Sequence, residues 1–162
     1  MKTLLLMRHA KASPSATGMA DFDRPLVDEG RVAARRIGKS LKGEIQVDAA
    51  LSSTAARTRE TIETVLQSAA MPIDTRYDQR IYDGGPLCVV EVISEIDNDS
   101  NAVLLVGHNP ALEDLLQVLT GEDVHLSPGT LAKIDLEVNE WSEVGPGSGV
   151  IDKILRPKEL ED

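Results

Sequence analysis

Two apolar runs dominate the hydropathy pattern of the chain, TLLLM from Thr3 to Met7 and AVLLV from Ala102 to Val106. Neither alternates with polar residues, and at strand length such continuity predicts β-strands buried on both faces in the middle of a sheet. Each stops abruptly, the first in Arg8-His9 and the second in Gly107-His108-Asn109-Pro110. Between them the period lengthens. Ala33, Ile37 and Leu41 recur at a spacing of four and predict a helix over Asp28 to Leu41 that stops at Gly43, while Pro25 and Leu26 lead into it. A short strand is expected over Val47 to Leu51. A second helix follows from Thr54 to Ser68, with Ile62, Val65, Leu66 and Ala69 facing inward and Pro72 ending it. Ile73 to Tyr77 reads as extended, leading through Ile81-Tyr82-Asp83 to the turn Gly84-Gly85-Pro86 and a helix over Leu87 to Ile96. After the second buried strand, Leu112, Leu115, Leu116 and Leu119 mark one side of a helix closed by Gly121. The remainder changes character: Thr130 to Val138 and Val150 to Leu155 alternate around a Gly/Pro-rich turn at Gly145 to Gly149. They predict an antiparallel hairpin with Trp141 near its turn.

This order of elements predicts an α/β three-layer sandwich, with a largely parallel central sheet, an antiparallel C-terminal edge and helices on both faces. At 162 residues the chain is expected to form one domain over 1–162, and it shows no internal repeat. Hydrophobic residues make up 41% but aromatics only 2%, so the core must be aliphatic. The net charge of -10 argues against nucleic-acid or anionic-membrane partners, and any anionic ligand would need a locally positive site. A lone Cys88 gives no disulfide framework, Arg8 cuts the first apolar run too early for a signal peptide, and no stretch has the length of a membrane span. A cytoplasmic location is expected.

The chemistry gathers at the ends of the two buried strands, where open α/β sheets place their ligands. Arg8 and His9 follow the first strand and His108 the second. Arg57, in the first turn of the second helix, comes to the same edge. Two guanidinium and two imidazole groups suit a tetrahedral dianion, which arginine binds in a bidentate, permanently charged way. Like charge should lower the pKa of His9 and leave a neutral lone pair for attack on phosphorus. The same arginines would repel a cation, so no metal site and no cofactor are expected. Arg24 either contacts substrate phosphate or pairs with Asp21 or Asp23, readings of equal weight. Asp83 reads first as a turn residue before Gly84 and second as a general acid. Lys11 and His125 are expected to be solvated, and Arg35, Arg36 and Arg59 to lie on outer helix faces. Cysteine-phosphatase chemistry lacks its arginine, since Ser94 stands six residues after Cys88. Asp21-Phe22-Asp23 does not follow a buried strand as an aspartyl-phosphate motif would, and there is no Gly-Lys-Ser/Thr phosphate loop.

Arg8-His9-Ala10 resembles the R-H-x signature of the histidine phosphatase superfamily. SSTAARTRET, with Ser53, Arg57 and Thr61, is similar to that family's second block, VGHNP at Val106 to Pro110 to its second-histidine block, and Arg24-Pro25-Leu26 with Gly30 to its R-P-L-x-x-x-G element. Val27 departs from the hydroxyl residue more usual there. The compact length and Arg156-Pro157-Lys158 resemble the SixA-type phosphohistidine phosphatases. The resemblance implies that His9 is the nucleophile and that Arg8, Arg57 and His108 bind the phosphoryl group. The expected function is thus metal-independent hydrolysis through a phospho-His9 intermediate. The expected partner is a phosphorylated protein, because an imidazole leaving group needs no positioned acid whereas an alkoxide does. The alternatives are a broad phosphatase of small phosphate esters, then a phosphoglycerate-type mutase or a non-catalytic phosphate-binding module. Oligomeric state is not legible.

Overall fold

The computed structural model describes residues 1–161. Its elements are β1 (Lys2–Arg8), α1 (Asp28–Leu41), β2 (Ala49–Ser52), α2 (Ala56–Ser68), β3 (Thr75–Tyr77), α3 (Gln79–Asp83), α4 (Pro86–Ser94), β4 (Ala102–Gly107), α5 (Ala111–Thr120), β5 (Leu131–Leu136) and β6 (Gly149–Leu155). One sheet holds all six strands in the order β3-β2-β4-β1-β5-β6. β3, β2, β4 and β1 pair in parallel, whereas β5 pairs antiparallel with β1, and β6 with β5. The α/β architecture with an antiparallel C-terminal edge is therefore the observed one.

The two apolar runs become β1 and β4, adjacent at the centre, and their continuity reflects burial on both sides. Leu4 and Leu6 face one helical layer with Val103 and Leu105, packed on α4 and α5. Leu5 and Met7 face the other with Leu104 and Val106, packed on α1 and α2. All four β1 side chains are fully buried, each contributing about 1.5–3 kcal/mol. Winding outward from β1 to β2 and β3 places helices on one face, and returning through β4 places them on the other, as right-handed crossovers require. The chain therefore leaves the carboxyl ends of β1 and β4 towards opposite faces, opening a crevice between them.

Three local readings change. The buried stripe of α1 is Gly30, Ala34, Ile37, Gly38 and Leu41, with Ala33 only half-buried. Two glycines carry the close approaches, since a Cβ at Gly30 would overlap the Lys11 carbonyl and one at Gly38 the Ser68 hydroxyl; a hydrophobicity pattern cannot register them. The segment at Gln79–Asp83 is a short helix, with Asp78 accepting from the Arg80 N–H at its start. Trp141, between β5 and β6, is fully buried and donates from Nε1 to the Ser100 carbonyl at 2.8 Å, so this aromatic belongs to the core. Val27 precedes α1 without a side-chain cap, and the acidic Asp28 and Glu29 occupy the helix's first turn instead.

Candidate active site

The crevice holds a pocket of about 290 Å³ lined by Arg8, His9, Lys11, Ala12, Arg24, Arg57, His108, Asn109 and Pro128. Strand register builds it. Arg8 lies opposite Gly107, so the residues that follow, His9 and His108, meet with ring centroids 5.3 Å apart. The Ser53 N–H, just past β2, donates to the Val106 carbonyl at 3.1 Å and brings the start of α2 to the same edge. Thr61 fixes the backbone beyond His9: its hydroxyl accepts from the Ala10 N–H at 3.0 Å and donates to the Arg57 carbonyl at 2.7 Å.

His9 is buried, and its Nδ1 lies 2.7 Å from the Ala10 carbonyl oxygen. A carbonyl only accepts, so Nδ1 carries the proton and Nε2 keeps its lone pair. Burial chiefly, and the charges of Arg57, Arg8 and Arg24 after it, lower the pKa of His9 from 6.5 to about 4, against the opposing hydrogen bond to Ala10. The like-charge effect expected from the arginines is present but second to desolvation. The ring is thus neutral across the physiological range. An NMR titration of the ring nitrogens should show His9 protonating near pH 4; a midpoint near 6.5 would contradict this environment. The same shift sets a stability trend, because histidine in the unfolded chain takes up its proton through pH 6.5 while the folded ring resists until about 4. Stability falls across that interval as pH drops.

His108 is also held neutral, its pKa lowered to about 3 by burial first and then by His9 and Arg57. Its Nε2 lies 2.7 Å from the Ser53 hydroxyl, which already accepts from the Ala55 N–H and so has its proton to give. That tautomer puts a proton on Nδ1, which is buried without a partner among the described residues, as are Nε of Arg8 and Nε of Arg57. Three unpartnered buried nitrogens around one pocket are what a bound tetrahedral anion would satisfy.

Arg57 is 6% exposed and donates to both the backbone carbonyl and the carboxylate of Asp21, at 2.9 and 3.1 Å. Arg24 is paired with Asp21 at 3.0 Å, one of its two expected partners, and its side chain lines the pocket wall. Asp21, expected from the sequence only as a possible partner of Arg24, is thus a hub: Tyr82 donates to it at 2.8 Å, and this bond together with those from Arg24 and Arg57 holds its pKa at about 2. Asp83 is exposed, accepts from the Gln79 amide at 3.1 Å and does not line the pocket. Lys11 does line it, although it is more than half exposed and paired with Glu29. His125 is exposed beside Glu113, and Arg59 lies over the Tyr77 ring on the outer face of α2. Among the described residues no group of three or more His, Cys, Asp or Glu is placed to hold a metal ion, and no helix is long and apolar enough to cross a membrane.

A family model described as the histidine phosphatase superfamily (branch 1) matches residues 4–83, the span that contains Arg8, His9 and Arg57. An uncharacterized protein of Mycobacterium tuberculosis is 33% identical over 156 residues, covering 90% of this chain and 96% of that protein. Among solved structures, SixA of Agrobacterium tumefaciens, a proposed phosphohistidine phosphatase, is 30% identical with a TM-score of 0.83, over 96% of this chain and 98% of that one. Its counterpart from Nakamurella multipartitia is 29% identical with a TM-score of 0.84, over 96% of each chain.

Proposed function

The chain belongs to the histidine phosphatase superfamily, and on that footing we propose that it hydrolyses phosphohistidine on a protein through a phospho-His9 intermediate. The observation that carries the reading is the Nδ1–H bond from His9 to Ala10, which leaves Nε2 as a neutral nucleophile in a pocket lined by three guanidinium groups. In the first step Nε2 attacks phosphorus. The P–N bond to the substrate imidazole breaks, and the departing nitrogen takes a proton from solvent. Arg8, Arg57 and Nδ1–H of His108 hold the phosphoryl oxygens as charge redistributes, so that catalysis consists of positioning and electrostatic stabilisation. Water then attacks the same phosphorus, the bond to Nε2 breaks, and inorganic phosphate leaves with His9 restored.

The choice of leaving group rests on the carboxylates. Among the described residues none lines the pocket, Asp83 is turned to its own helix, and Asp21 is held ionised by three donors and so is a poor proton donor. An imidazole departs without a positioned acid, whereas an alkoxide does not. The test is phosphate release from a phosphohistidine-bearing protein in the presence of a chelator, alongside small phosphate esters. Release from the phosphoprotein is expected, with Asp83→Asn within about threefold of the native rate. Cleavage of esters alone would move the assignment to a small-molecule phosphatase, and a large loss in Asp83→Asn would restore it as the acid.

A further inference from the structure

Beside the catalytic pocket, α1 and the C-terminal turn Arg156-Pro157-Lys158 enclose a second and larger groove of about 600 Å³. Lys11 and Pro128 line both. The two are joined through Gly129, whose N–H donates to the carbonyls of Arg8 and His9 at 3.2 and 3.0 Å. A Cβ there would sit 3.1 Å from the Pro157 ring and 3.7 Å from the Ala33 methyl, so the groove floor is packed directly against the backbone of the nucleophile's turn. Val32, Ala33 and Pro157 make that floor apolar.

The rim reverses the charge of the molecule. Lys11, Arg36, Arg156 and Lys158 line the groove against two carboxylates, Glu29 and Glu159, in a chain with 17 basic and 27 acidic residues. Lys11 is engaged with Glu29, and Arg156 donates to the His125 carbonyl at 3.2 Å, which fixes its guanidinium at the edge. A chain of net charge -10 disfavours acidic partners on the whole, but a locally basic groove attracts them, and this one opens beside the phosphoryl site.

We propose that this groove takes an acidic segment of substrate protein, with an apolar side chain on the floor and carboxylates on the rim, next to the phosphohistidine that enters the pocket. The inference rests on the phosphohistidine reading and adds which protein segments are chosen. A small phosphate compound fills the pocket without reaching the groove, so the two kinds of substrate separate its contribution from the chemistry.

The test uses two synthetic phosphohistidine peptides of equal length, both with a leucine beside the phosphohistidine, one flanked by glutamates and the other by lysines, together with free phosphohistidine. The native chain should show a KM at least about tenfold lower for the acidic peptide, and the difference should shrink with added salt. The double variant Arg156→Glu/Lys158→Glu should lose or invert that preference while cleaving free phosphohistidine within about twofold of native, which also reports an intact fold. Ala33→Phe, which fills the floor, should raise KM for both peptides and leave free phosphohistidine unchanged. Equal KM values for the two peptides, or a preference that survives both variants, would overturn the groove while leaving the proposed reaction standing. No cleavage of any phosphohistidine compound, with esters still cleaved, would overturn the reaction and the groove with it.

Discussion

His9→Ala is expected to lower phosphate turnover on the order of 10⁴-fold or more, on every substrate, while the protein stays folded and still binds inorganic phosphate. The size of the effect follows from the absence of a substitute. The only other imidazole in the pocket, His108, has Nε2 committed to Ser53, and its Nδ1 carries the proton in the tautomer that this bond selects. Lys11, the other amine lining the pocket, is engaged with the Glu29 carboxylate at 2.9 Å. Binding is expected to survive because Arg8, Arg57 and His108 are anchored independently of the His9 ring, by Leu126, Asp21 and Ser53 respectively. The checks are turnover with labelled substrate and an alkaline quench, since a P–N bond is lost in acid. Label should appear on the native chain and be absent from the variant, while calorimetry shows phosphate binding in both. A variant within tenfold of native, or one that still takes up covalent label, would place the nucleophile elsewhere.

What the sequence makes legible here is set by how local each determinant is. The centre of the sheet is readable because β1 and β4 are buried on both faces and so leave uninterrupted aliphatic runs, and the polar residues that end those runs fall at the same edge of the sheet. The parallel register of β1 with β4, Arg8 opposite Gly107, then brings His9 to His108. Arg57 is readable as the first turn of a helix that starts from the same edge. Asp21 is not, because its significance depends on a loop without periodicity folding back onto residues 36 and 61 positions away. The glycine stripe of α1 is hidden for a different reason: Gly30 and Gly38 matter by what they lack, and burial there registers as no hydrophobicity at all. The short helix α3 is too brief to show a period and is announced only by its Asp78 cap.

Arg57→Lys is expected to cost about 10²–10³-fold in kcat/KM although it conserves charge, and Arg57→Ala at least as much. The reason is that the guanidinium does two things at once. Nη1 and Nη2 hold the carbonyl and carboxylate of Asp21, which fixes the loop carrying Arg24, while Nε, buried and without a partner among the described residues, remains for a phosphoryl oxygen. A lysine ammonium in a site 6% exposed can satisfy Asp21 or face the substrate, but its single nitrogen cannot span both. The loss should therefore fall mainly on kcat, because charge that attracts the ground-state dianion is retained while the directed bond that strengthens in the transition state is gone. Asp21→Asn gives the complementary control: it leaves the guanidinium in place and removes its counter-charge, so phosphate should inhibit more tightly, with a smaller change in kcat. If Arg57→Lys instead kept most of its kcat, Arg57 would act as a point charge, and the geometry of its fork would be structural.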